Sequence, residues 1–282
     1  LVGSEMCIRD REYGAYSFSV TGVKEMTFEE GVKIIGDYAF MQCMSLTSVT
    51  FPSSLEKAGE GSFALDLNLQ NIVFSEGLKE IPELMFYAYT ETDPSTGNSI
   101  NSSALNGTIV IPASVETIGE FAFFGAGVAY DSAAGGYVRN AGFGVEFAEG
   151  SKLRTIGPSV FTYSGLERIS IPATVETIGL QSFAENNYLK EVIVGSAEEG
   201  SALKLIDEIA FGWNEVLENV TIYAPTAPQM NLKEYQASAT STIYLNAFYL
   251  SEAVKIYVPA AAYESYLSAE NWSELKENVV SL

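Results

Sequence analysis

The chain contains no histidine. That removes the commonest general base, the commonest zinc ligand, and every Ser-His-Asp or Cys-His arrangement. Cysteine occurs only at Cys7 and Cys43, too few for a disulfide scaffold. Lys and Arg number 15 against 36 acids, a net charge of −21. Such a chain repels nucleic-acid phosphates and anionic bilayers, so no nucleic-acid partner is expected. No apolar run approaches the roughly 18 residues of a membrane helix, so no membrane insertion is expected in this segment. The G-x-S-x-G, P-loop and H-E-x-x-H patterns are missing. Adjacent acids such as Glu29/Glu30 and Glu198/Glu199 do not make a cleft-spanning pair about 5–5.5 Å apart, as retaining glycoside hydrolysis requires. The expectation is therefore a protein that is not an enzyme, with no catalytic residues, no metal site and no cofactor.

What is abundant is apolar and repeated. Hydrophobic residues make up 47%, enough to bury a large core, and the 18% charged fraction argues against a disordered chain. The phrase IPASVETIG (111–119) returns as IPATVETIG (171–179), and looser copies fill most of the chain. Eight units end on Phe40, Phe63, Phe86, Phe123, Phe161, Phe183, Phe211 and Phe248. The shortest spacings are 22–23 residues, inside the range of leucine-rich repeats. Each unit carries an apolar-x-apolar triplet such as Ile109-Val110-Ile111 or Ile169-Ser170-Ile171, which reads as a short strand. Pro52, Pro112, Pro172 and Pro259 stop four of them. An anchor three residues earlier (Val23, Leu46, Leu69, Leu166, Leu189, Leu217, Ala253) completes the strand half. The other half, I-G-x-x-A-F, reads as a short turn of helix or 3-10.

These patterns predict an α/β leucine-rich-repeat solenoid, with parallel strands on the concave face and helical or 3-10 turns on the convex side. The repeats span 12–259, with insertions at about 90–107, 125–144 and 224–242. Apolar residues at helical spacing over 260–282 predict a C-terminal helical cap. Residues 1–11 read as translated sequencing-adapter sequence. On that reading they are set aside as a non-native leader, and the true start and any export signal lie upstream.

The outward strand positions and the insertions are where a ligand is expected. On the strands these are Glu146, Arg168, Glu191, Ile193 and Tyr257; in the insertion at 125–144 they are Tyr130, Tyr137, Arg139 and Phe143. Tyr gives amphipathic contact at low entropy cost beside adaptable Gly and Ser, as binding loops do. The same strand residues are also simply good strand formers, and the insertion is also readable as a hairpin packed on the repeat edge. The insertions at 90–107 and 224–242 read as loops, the former with weak calcium-holding capacity at Asp93.

The run IIGDYAFMQCMSLTSVTFPSSL and the ending VPAAAYESYLSAENWSEL resemble the BspA-like leucine-rich-repeat family of bacterial surface proteins, common in Bacteroidetes. The resemblance covers Val23 to the C-terminus. It departs from the pattern at Ala58, at Pro82 and in the units after Gly195. It implies an exported, extracellular or cell-surface protein engaged in adhesion, with host or bacterial proteins as partners. A glycan-binding component and a structural spacer are the other readings.

Overall fold

The computed structural model of the chain describes residues 5–8, 12–88, 103–131, 133–238, 241–251 and 253–282. Every triplet forms a front strand: Glu25–Phe28, Ser48–Thr50, Asn71–Val73, Thr108–Ile111, Gly144–Phe147, Arg168–Ile171, Glu191–Val194, Asn219–Ile222 and Lys255–Val258. Pairing between neighbours is parallel and in register, so Ile169, Val192, Val220 and Ile256 line up inward. The front ladder is interrupted twice, before Thr108–Ile111 and again before Arg168–Ile171. Within the segment set aside above, Glu5–Ile8 pairs with Glu25–Phe28.

The second half of each unit differs from expectation. It begins with a two-residue strand, not a helical turn. These strands stack as a back ladder: Glu12–Tyr13, Ile34–Ile35 and Lys57–Ala58 in one sheet, then Glu80–Ile81, Thr117–Ile118, Thr155–Ile156, Thr177–Ile178, Leu205–Ile206 and Gln229–Met230 in another. In every rung but that of Phe248, the turn that follows holds a left-handed residue two positions before the Phe, including Tyr38 (φ 52°), Leu84 (59°), Phe121 (56°) and Gln181 (54°). A right-handed helix cannot pass through that conformation. Alternate N–H groups point instead to the next unit: Phe63 N to Met85 O (3.0 Å), Phe86 N to Ala122 O (2.8 Å), Phe161 N to Ser182 O (2.8 Å). Each unit is thus a rung joined to its neighbours along three lines, front, back and outer. Gly119 has no room for a side chain, because a Cβ there would lie 2.5 Å from Glu83 N.

Inside, the terminal phenylalanines make one stacked column. Successive centroids from Phe18 to Phe248 lie 5.1–5.7 Å apart, close to the spacing of paired strands. Phe18 marks a further rung that the sequence reading did not count. The apolar anchor of the last front strand is Val254, which is buried, and not Ala253, which is exposed. Three residues beyond six of the Phe residues, Phe40, Phe63, Phe161, Phe183, Phe211 and Phe248, runs a buried line of hydrogen bonds. Cys43 N donates to Asp66 Oδ1 (2.6 Å), Ser164 N to Asn186 Oδ1 (2.6 Å), Asn186 N to Asn214 Oδ1 (2.7 Å) and Asn214 N to Ser251 Oγ (3.3 Å). Cys43 is a buried free thiol in this line.

The C-terminal segment is less helical than expected. It holds one α-helix, Tyr263–Ser268, and a 3-10 turn, Ser273–Leu275. The helix ends because Ala269 turns extended (φ −69°, ψ 147°). Trp272 closes the end of the core: its ring meets Tyr266 at 4.8 Å and its Nε1 donates to Pro228 O (2.8 Å). Val279–Ser281 then adds a parallel strand to the front ladder. The insertion at 224–242 is also not a plain loop. Gln229–Met230 joins the back ladder, and Lys233–Ser238 pairs antiparallel with Ser241–Leu245 as a hairpin. Asp93 and most of the insertion at 90–107 lie outside the described residues.

Candidate functional site

The insertion at 125–144 forms a hairpin of Val128–Asp131 and Gly136–Arg139. Asp131 Oδ1 accepts the N–H of Ala133 (2.8 Å), which closes its turn. Tyr130 and Tyr137 face each other across the strands, ring centroids 5.5 Å apart and 71° between planes. Phe143 has a different part from the one expected. It is 1% exposed and lies against Gly127, where a Cβ would overlap its ring at 2.1 Å. Its ring belongs to the core.

Arg139 crosses the second interruption of the front ladder. Elsewhere rungs join there by backbone bonds, such as Gly144 N to Gly107 O (3.1 Å) and Lys190 N to Glu167 O (2.9 Å). Here the guanidinium takes that place, with Nη2 donating to Phe143 O (2.6 Å) and Nε to Gly165 O (2.7 Å). Glu167 lies 3.8 Å away. Asn140, which the sequence reading passed over, pins the hairpin base: its N–H donates to Gly127 O (2.8 Å) and its amide to the carbonyls of Leu105 (2.8 Å) and Ser103. Asn in a Gly-rich insertion reads as a turn former, so nothing in the sequence signals that role.

The interruption leaves an open groove of about 530 Å³ between Gly144–Phe147 and Arg168–Ile171. Arg139, Phe143, Glu146, Glu167, Arg168 and Ser170 line it. The structure therefore brings together four of the expected residues, Arg139, Phe143, Glu146 and Arg168. Glu146 and Arg168 are exposed. Glu191 stands in register beside Arg168, with 3.5 Å between their charged groups. Ile193 is half-buried one rung from Ser170, and Tyr257 lies two rungs further, beyond Thr221. Tyr130 and Tyr137 are half-buried on the hairpin and do not line the groove. Chemically the groove offers two carboxylates, Glu146 and Glu167, two guanidinium cations, Arg139 and Arg168, and a rigid strand backbone. Among the described residues, no group of three or more His, Cys, Asp or Glu is placed to hold a metal ion, and no helix is long and apolar enough to cross a membrane.

Other acids serve the scaffold. Glu76 reaches across a rung to the N–H groups of Ala113 and Ser114, both at 2.8 Å. Partial burial pushes its carboxyl up, but those two N–H donors, the Ser114 hydroxyl and Lys152 together hold it below the usual value. Glu30 clasps Ser53 and Ser54 in the same way.

A family model for the BspA-type leucine-rich repeat region matches residues 11–126 and 150–269, in six copies. A search of curated proteins finds no match. Among solved structures, the pneumococcal vaccine antigen PcpA is 17% identical, with a TM-score of 0.43 over 99% of this chain and 77% of that one. A leucine-rich cell surface protein from Faecalibacterium prausnitzii is 14% identical, with a TM-score of 0.48 over 99% of this chain and 87% of that one. A leucine-rich repeat protein from Eubacterium ventriosum is 15% identical, with a TM-score of 0.34 over 92% and 83%.

Proposed function

We propose, from the premise that the chain belongs to the BspA-type leucine-rich-repeat family, that it is a non-enzymatic recognition module of a bacterial cell surface. In this reading the rungs form a solenoid whose front face binds a protein partner. The family resemblance supports the surface location. The observation that carries the binding reading is the groove at the second interruption of the front ladder. Glu146 and Arg168 stand exposed on its two walls, on strands rather than loops. A site on rigid elements loses little entropy on binding, and opposite charges on facing walls select a partner with the complementary pair.

The test is binding of the purified chain to a panel of extracellular-matrix, mucosal and bacterial surface proteins. Glu146→Lys and Arg168→Glu serve as site variants. At least one partner should bind, and each charge reversal should weaken it about tenfold. Absence of any binding above a repeat-matched control protein would sink the proposal. Equal binding by both variants would remove the groove from it.

A further inference from the structure

A second concavity lies beside the hairpin, away from the groove. The rung of Phe161 reaches its anchor, Leu166, in five residues, where those of Phe40, Phe63, Phe183 and Phe211 take six, to Leu46, Leu69, Leu189 and Leu217. At this shortened rung lies a hollow that Tyr188, from the next rung, spans to donate its hydroxyl to Tyr137 O at 3.0 Å. The result is a cup walled by Tyr137, Tyr163 and Tyr188, with Ser164, Glu185 and Asn187 at its edge. The enclosed space is small, about 20 Å³, room for about one water, so a ligand would lie across the mouth rather than inside. Tyr163 is 37% exposed and Asn187 is exposed, so the wall and one edge are open to solvent.

We propose that this cup is a binding site for one neutral sugar ring. Three tyrosines present apolar ring surface with polar tips, which suits the C–H face of a pyranose. Asn187 supplies amide donors and a carbonyl acceptor, and Glu185 supplies acceptors, which together match neighbouring hydroxyls. Among the described residues no Lys or Arg lines the cup, and the chain carries a net charge of −21, so sulfated and sialylated sugars are disfavoured. The shallow depth fits a terminal residue laid on the wall rather than a buried chain. Nothing in the rung geometry requires Tyr163 or Asn187 in these places. Other rungs carry Gln42, Leu65 and Trp213 at the position of Tyr163. The proposal stands independently of the groove.

Protein-detected NMR titration tests it, with galactose, glucose and N-acetylglucosamine as probes and sialic acid and tetramethylammonium as comparisons. Tyr163→Ala and Asn187→Ala are surface changes, and circular dichroism checks their fold. A neutral sugar should give saturable shifts around Tyr163, Glu185 and Asn187. Tyr163→Ala should weaken it about tenfold, Asn187→Ala should weaken it as well, and Arg168→Glu should leave it unchanged. The proposal falls if no neutral sugar gives a saturable shift, or if both cup variants bind as the parent does. It also falls if tetramethylammonium alone saturates the site, because the aromatic walls would then be serving a cation.

Discussion

Replacing Asp66 by asparagine should make the protein more stable at neutral pH. Asp66 is 7% exposed. Its Oδ1 accepts Cys43 N–H, but its Oδ2 has no hydrogen-bond partner among the described residues. Burial pushes its carboxyl well above the ordinary range, and the Cys43 N–H only partly opposes that. Asn186 and Asn214 hold the same place in the polar line, and their amides donate to Phe183 O at 2.9 and 2.8 Å. An asparagine at 66 keeps the Cys43 bond and offers the same N–H toward Phe63. Leaving a buried polar group unsatisfied costs about 1–3 kcal/mol, which sets the expected gain at pH 7. For a chain of this size that is about 2–4 °C in melting midpoint per kcal/mol. The pH dependence has a definite sign. The folded pKa lies above the unfolded value, so the native state holds more protons between the two. The parent's stability term is complete below an unfolded pKa of about 3.9 and is lost as pH rises toward the folded pKa. The loss runs at up to about 1.4 kcal/mol per pH unit. The variant lacks that term. Thermal and urea melts of both proteins from mildly acidic to mildly alkaline pH should show a gap that widens and then levels. A variant no more stable than the parent at pH 7, or a gap constant across the range, would refute the reasoning.

Phe123→Ala should cost about 3–5 kcal/mol in chemical denaturation, because the ring is fully buried between Phe86 and Phe161. Glu76→Gln should lower the melting midpoint slightly at neutral pH, by well under about 1 kcal/mol for so exposed a group. The effect should vanish in acid, since a carboxyl held below its usual pKa stabilises above the unfolded pKa and loses that as pH falls through the folded one. Arg139→Ala should cost about 1–3 kcal/mol and open the hairpin at 128–139 to limited proteolysis, because two carbonyls lose their donor. Arg139→Lys should recover little of this, since one ammonium does not reproduce the fork.

The front strands and the phenylalanine column were legible because inward positions repeat at fixed spacing. The rung of Phe18 was legible too, but disguised. Tyr13-Gly14-Ala15-Tyr16-Ser17-Phe18 is the I-G-x-x-A-F phrase with Tyr for Ile and Ser for Ala. The left-handed turn positions were not legible. Tyr, Leu, Phe, Ser, Gln and Ile occupy them with hardly a glycine, because bonds to the next rung override local preference. The hairpin of Lys233–Ser238 was hidden for the opposite reason. All six of its residues are exposed, so no alternation marks it as a strand. At the groove, strand alternation sets Glu146 and Arg168 outward, and both are exposed. Phe143 and Arg139 looked like contact residues because aromatic and basic side chains in a Gly-rich insertion usually are. Arg139 also bonds two carbonyls where a ladder bond is missing, and the ring of Phe143 is buried against Gly127, neither of which their sequence neighbours signal.

The interruptions of the ladders also bear on how the chain comes apart. The front ladder breaks between the rungs of Phe86 and Phe123 and between those of Phe161 and Phe183. The back ladder breaks between those of Phe63 and Phe86. At each break the other two lines hold: Ile81 pairs with Ile118, Ile156 with Ile178, and Phe63 N bonds Met85 O. The joints are staggered like courses of brick. A crack opening at any one of them meets intact bonding on both remaining sides, so the described rungs offer no ready-made plane along which to divide into two independently melting halves.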